Sequence, residues 1–156
     1  MKRNLKKILS LAVLAVLALT VMLTSCQPTV DTEGTATLVV ANDSGVYTFE
    51  IPLGELVEAK SAVAALDYLK GKGELDYTSA ESTFGAYLTK VGHIVENGDA
   101  GIYVGIWTSV AKDADTSDYA TTKIYNGTTL TASGVGISQM SLTDGCIIYI
   151  GEIIYN

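Results

Sequence analysis

Two glycines separated by one residue, Gly134-Val135-Gly136 in "ASGVGISQMSLTDGCIIYIG", are the first feature of this chain with a chemical reading. Closely spaced glycines cradle a phosphate when they follow a strand and open a helix, because helix N–H groups then point at the anion. Here the order is reversed. The glycines lead through the Asp144-Gly145 turn signal into "CIIYIGEIIY", a β-branched and aromatic strand pattern, so the motif is a poor nucleotide cradle. Gly134 and Gly136 instead let a ligand come close to the backbone. The loop would add its N–H groups and the side chains of Ser138 and Gln139. Tyr87, Tyr103, Trp107, Tyr119 and Tyr125 fall in the middle strands or at their ends, and Trp107, closing "GIYVGIW", is expected half exposed. Singly, such rings more often belong to a core. Together with the loop they make an apolar rim with a few polar groups, the usual lining of a small-molecule site. The candidate binding set is therefore Tyr87, Trp107, Tyr125, Gly134, Gly136, Ser138 and Gln139.

Chemistry has little to work with elsewhere. His93, in "KVGHIVENGD", is the one histidine and reads as a surface or edge residue. "GVGIS" lacks the strand-to-helix elbow that exposes a nucleophilic serine. Cys146 reads as a small buried hydrophobe in the last strand. Asp113, Asp115 and Asp118 in "DADTSD" suggest calcium, but an EF-hand loop counted from Asp113 needs glycine and glutamate where Asp118 and Ile124 stand. A solvated acidic loop fits better. No catalytic residue, metal ligand or pair of catalytic carboxylates is nominated, and the expectation is a protein that is not an enzyme.

The elements that would position these residues are legible as periodicities. "TATLVVA" reads as a strand, Asn42-Asp43-Ser44-Gly45 as a turn, and "VYTFEI" as a second strand. In the latter, Val46, Thr48 and Glu50 alternate with Tyr47, Phe49 and Ile51, the period of a half-buried antiparallel strand. "SAVAALDYLKGKG" is the one clear helix: Ser61 as cap, Val63, Leu66 and Leu69 on one stripe with Ala62 and Ala65, and Gly71 and Gly73 as the stop. Short strand-like segments follow, "ELDYT", "FGAYLTKVGHIV", "GIYVGIWTSV", "TTKIYNGTTL" and the last apolar run. One helix among six or seven strands predicts an α+β domain.

The start of the 156-residue chain is a targeting signal rather than structure. "MKRNLKK" is a basic n-region and "ILSLAVLAVLALTVML" an apolar core, followed by Leu23-Thr24-Ser25-Cys26. That ending resembles the bacterial lipobox, whose cysteine is lipidated and becomes the new N-terminus. Residues 1–25 are thus expected as signal peptide, 26–34 as a flexible tether and 35–156 as one domain, lipid-anchored on the extracytoplasmic face of the cell membrane. Cleavage before Cys26 removes four of ten positive residues, leaving six lysines against 17 acids, a net charge of −11 without arginine. Nucleic acid is excluded as a partner, since its binding needs basic groups to displace counterions.

The order of motifs resembles the transcobalamin C-terminal-like domain, found in bacterial surface proteins and at the end of vitamin B12 carriers. The likeness spans Thr35 to Asn156. Gly85, Tyr87, Leu88 and Gly92 match its glycine–aromatic–aliphatic stretch, Asn126-Gly127 its Asn-Gly turn, and Asp144-Gly145 its penultimate turn. The resemblance implies a β-grasp-like fold, a mixed sheet curled around one principal helix. It also implies that the loops around Tyr87, Trp107 and Gly134 to Gln139 face a corrinoid such as cobalamin. Two departures stand out. Cys146 replaces the acid that the family often carries after Asp-Gly. The vitamin carriers also close the ligand against a helical barrel, which this chain lacks, so the domain offers half of that pocket, with an envelope protein partner as a candidate to complete it. The expected function is non-catalytic ligand binding at the cell surface. The alternative is a protein–protein or surface-glycan interaction module using exposed sheet edges.

Overall fold

Alternation and turn chemistry between them build most of the structure. A computed structural model describes residues 27–155; the expected signal peptide and the lipidation site Cys26 lie outside them. Among the described residues there are nine strands and one α-helix, an α+β fold of the β-grasp-like kind. β1 (Thr35–Asn42) turns at Asp43-Ser44 into β2 (Gly45–Pro52), in register from Thr35↔Pro52 to Asn42↔Gly45. The helix α1 (Val63–Gly71) follows. Then come β3 (Tyr77–Ala80), β4 (Tyr87–Val91), β5 (Ile94–Val95), β6 (Ile102–Thr108), β7 (Thr122–Tyr125), β8 (Thr128–Ala132) and β9 (Ile147–Ile154).

Nine strands stand where six or seven were expected, because two segments that read as single strands fold back on themselves. "FGAYLTKVGHIV" bends at Gly92, φ +56°, into the β4–β5 hairpin. "TTKIYNGTTL" bends at Asn126-Gly127, φ +47° and +78°, the left-handed pair that a two-residue hairpin turn requires.

The strands form a six-stranded sheet, ordered β2-β1-β9-β6-β8-β7, and a three-stranded sheet, β3-β4-β5. Among the described residues only the strands β1 and β9 pair in parallel, both inside the large sheet, and the continuous apolar run "LVVA" in β1 is the sequence trace of that placement. One core joins Leu38, Val40, Ile148 and Ile150 of the large sheet to Leu66 and Leu69 of α1 and to Leu88, Val91 and Ile94 of the small sheet.

α1 buries Ala65, Leu66 and Leu69, the predicted stripe, but Ser61 does not cap it. Ser61 is buried and offers its carbonyl to Ala64 N–H at 3.1 Å; the cap position is Ala62, without a side-chain bond. The stop is at Gly73, φ +71°, where Gly73 N–H reaches Lys70 O and Glu74 N–H reaches Leu69 O, both at 3.0 Å. These two bonds close the helix end as a left-handed glycine permits.

The segment expected as a tether is docked. Thr29 N–H donates to Ser141 Oγ at 3.0 Å, Leu142 N–H to Thr29 O at 2.8 Å and Asp31 N–H to Leu142 O at 3.0 Å. Val30 thus forms a parallel bridge with Leu142, a pairing that polar composition alone conceals.

Candidate functional site

The loop after β8 folds tightly because its polar groups are answered from distant elements. Gly134 N–H donates to Asp113 O at 2.9 Å, Gly136 N–H to Phe84 O at 2.7 Å and Ile137 N–H to Ala86 O at 2.8 Å. Ser138 Oγ accepts from Ala86 N–H at 2.8 Å. Gln139 N–H returns to Gly136 O at 2.9 Å, and its side chain lies under Gly85, where a Cβ would meet Gln139 Cγ at 3.0 Å. The N–H groups expected to face a ligand are thus bonded within the protein, and Ser138 and Gln139 hold the loop against the entry to β4. A Cβ at Gly136 would lie 2.5 Å from Ala86 O, so the close approach that glycine allows there is the protein's own backbone.

The aromatic residues separate onto two faces. Trp107 is 3% exposed rather than half exposed. It pairs with Tyr149 across β6–β9, its ring meeting Tyr149 edge-on at 6.0 Å, while Nε1–H donates to Thr121 Oγ1 at 3.1 Å. Lys123 Nζ caps the indole 4.4 Å from its centroid. Gly105 and Gly151 make room, since a Cβ on Gly105 would stand 2.6 Å from Trp107 Cη2. Tyr125 joins the same cluster, 6.2 Å from the Tyr149 ring and hydrogen-bonded to Thr48 Oγ1 at 2.8 Å. Trp107 and Tyr125 therefore line no common site with Tyr87. Tyr119, 91% exposed, stands apart, and Tyr103 packs edge-on against Tyr155.

Tyr87, Gly134 and Gly136 do come together. They border an open groove of about 360 Å³ whose apolar walls are Phe84, Val104, Ile106, Val135 and Ile153, with Ser82 and Ser133 as polar rim. Phe84, 69% exposed, is a wall residue that sequence reading missed; its trace is a lone aromatic in the polar run "TSAESTFG". The groove runs along an unfinished strand edge. β8 pairs with β6 only at Trp107↔Ala132 and Thr108↔Thr131, and Ser133 N–H then takes Ile106 O at 2.8 Å. By the two-residue alternation of the backbone, the N–H and C=O of Val104 face the same way. Among the described residues no strand pairs with Val104 on that side.

Other candidates lie elsewhere. His93 is exposed beside a separate 140 Å³ recess formed with Tyr47, Phe49 and Leu75. Cys146 is buried just before β9, and burial pushes its thiol pKa up, as expected of an inert core cysteine. Among the described residues no three His, Cys, Asp or Glu side chains gather as a metal site, and no helix is long and apolar enough to cross a membrane.

Asp113 corrects the picture of a solvated acidic loop. It is 4% exposed, its Oδ2 accepting from Ser141 N–H at 2.6 Å and Oδ1 from Ser141 Oγ–H at 3.2 Å. Ser141 is fully buried and itself binds the docked N-terminal segment. Asp113→Ala is expected to cost about 2 kcal/mol in urea unfolding by orphaning those donors. Asp118→Ala, on the exposed part of the loop, should change stability by less than about 0.5 kcal/mol.

No family model matches the chain, and no curated protein matches its sequence. Solved structures do share its fold. A protein of Ruminococcus gnavus ATCC 29149, described as a "putative metal binding protein", aligns over 80% of this chain and 100% of its own length, with TM-score 0.51 and 14% identity. Haptocorrin in complex with Cbi aligns over 79% of this chain at TM-score 0.55 and 11% identity. This chain spans 25% of the haptocorrin chain. At such identities the likeness is one of fold.

Proposed function

We propose that this chain is a lipid-anchored protein of the cell envelope, of the transcobalamin C-terminal-like kind, that binds a corrinoid and performs no chemistry on it. The observation that carries this reading is the groove between Tyr87 and the Gly134–Gly136 bend, since these are loops that the sequence resemblance turned toward a corrinoid. Its residues fit such a ligand in part. Phe84, Tyr87, Val104 and Ile153 offer apolar contact to one face of a macrocycle, and the Val104 peptide offers hydrogen bonds to its amide rim. No histidine lines the groove, so the fit is by contact and not through a side-chain ligand to cobalt. The fold shared with haptocorrin, a structure in complex with Cbi, supports the same class of ligand. An open groove covers one side of the ligand only, so a partner closing the other side would raise affinity.

Titration with cobinamide and with cobalamin, followed by Trp107 emission, tests the reading. Trp107 lies beside Gly105, which borders the groove, so an absorbing corrin bound there quenches it. Phe84→Ala and Tyr87→Ala are each expected to weaken cobinamide binding about tenfold, or ~1.4 kcal/mol, with little change in Tm because both rings are exposed. Absence of any response to either corrinoid at millimolar concentration rejects the proposal.

The free peptide of Val104, between Ile102 bonded to Asn97 and Ile106 bonded to Ser133, favours a second reading, in which a partner protein docks in this groove and bonds that peptide. Binding of an envelope protein that survives Phe84→Ala and Tyr87→Ala but is lost on Val104→Pro, without any corrinoid, would favour it.

A further inference from the structure

The described chain is held on the domain from its first residues. Lys112 Nζ reaches Gln27 O at 3.3 Å and Thr29 Oγ1 at 2.5 Å, and Thr29 to Asp31 are then bonded to Ser141 and Leu142. Consecutive Cα atoms are about 3.8 Å apart, so Cys26 stands one peptide from a backbone fixed on the domain. A tether of nine residues would have let the domain tumble; this segment gives it a short leash.

The leash leaves at one end of the sheet. Gly34 O accepts from Leu53 N–H at 3.0 Å, which draws the loop after β2 to the start of β1. Ser109 N–H donates to Ile147 O at 3.0 Å, which brings the loop after β6 to the start of β9. At this end Val57 is 89% exposed, and Gln27, Pro28 and Val30 share a 410 Å³ recess with Ala59 and Lys60. The β1–β2 turn at Asp43-Ser44 lies at the opposite end, about 25 Å away along an eight-residue strand.

We infer that acylated Cys26 holds the domain directly on the bilayer in one orientation, with the loop Val57–Lys60 and Lys112 against the headgroups. This rests on the reading that Cys26 is lipidated. The bilayer is the occupant because acyl chains carried one peptide from Gln27 must enter lipid beside this end. Lys60 is exposed here and can meet a lipid phosphate, and Lys112, also exposed, has one N–H left for the same purpose after bonding Gln27 and Thr29. Glu55 and Glu58 share the first of these loops, so net charge adds little and the covalent leash sets the orientation. Val57 becomes an apolar contact at the interface, and the β1–β2 turn points away from the membrane.

The test uses the full-length lipidated protein in phosphatidylcholine–phosphatidylglycerol vesicles containing lipid with a nitroxide headgroup. Bimane is attached at Val57→Cys or at Ser44→Cys; Cys146 is buried and does not compete for the label. The label at position 57 is expected to lose most of its emission and the label at 44 to keep it. Equal quenching of the two in vesicle-bound protein overturns the orientation. Mass spectrometry of Cys26 in the same sample keeps the two readings apart: an unmodified cysteine overturns the anchor itself, whereas an acylated one with equal quenching overturns only the leash. A Gly/Ser linker of about six residues inserted after Cys26 should equalise the labels. A difference that persists with the linker also overturns the leash.

Discussion

Trp107→Ala lowers the free energy of unfolding by about 3–5 kcal/mol, the cost of emptying a large buried aromatic site. In a domain of this size that is a fall in Tm on the order of 10–15 °C. The expectation follows from the ring's enclosure. Trp107 is packed between Tyr149 and the capping Lys123, over the bare backbone of Gly105 and Gly151, with its N–H bonded to Thr121. Gly105 and Gly151 beneath the ring bring no side chain to fill the vacated space, so only partial collapse of Tyr149, Ile153 and Lys123 offsets the loss. Cobinamide affinity, measured well below the lowered Tm, should remain within about twofold of wild type. Phe84→Ala and Tyr87→Ala give the reverse pattern, so the pair of measurements separates a structural ring from binding rings. A Trp107→Ala protein that keeps its Tm would show that the outer face of the sheet is open and available to ligand.

The misreading of Trp107 shows where sequence patterns stop. "GIYVGIWTSV" does announce a strand, and alternation puts Gly105 and Trp107 on one side of it. The burial of that side depends on β9 delivering Gly151 and Tyr149 opposite them, and on Lys123 folding over from β7. Those partners lie 16 to 46 positions away in sequence, and no local period records them. β2 is the contrasting case: its alternating faces, one exposed and one carrying Phe49 and Ile51 inward, are a property of the segment itself. The helix stripe Leu66–Leu69 and the Asn126-Gly127 hairpin are local in the same sense. The docking of Thr29–Asp31 on Ser141 and Leu142 is not, because its partners, Lys112, Ser141, Leu142 and Asp144, lie more than 80 positions away. At the candidate site, Tyr87, Gly134 and Gly136 were legible as loop chemistry. The open edge at Val104 was hidden, since it exists only because β8 ends two pairs after it begins on β6.

Gly136→Val is expected to cost about 3 kcal/mol or more and to abolish corrinoid binding, whereas Gly134→Ala costs less than about 1 kcal/mol. Neither glycine needs a left-handed backbone; φ at Gly136 is −70°, which any residue adopts. The difference is steric. A Cβ at Gly136 would sit 2.5 Å from Ala86 O and 2.7 Å from Gly85 C, main-chain atoms that cannot rotate away. Relief requires the loop to lift from residues 84–86, which breaks the bonds of Gly136 to Phe84 and of Ile137 to Ala86. Each such lost bond adds about 1 kcal/mol. At Gly134 the nearest atoms, Ala114 O and Asp115 Cα, stand 3.2 Å off in a loop that can yield by a few tenths of an ångström. Urea unfolding of the two variants reads this contrast directly. Ligand binding should follow stability here, because Phe84 and Tyr87 flank the bonded stretch and move with it when the loop lifts. Equal, small costs at both glycines would mean that the bend after β8 is not seated on β4, and the groove would lose its floor.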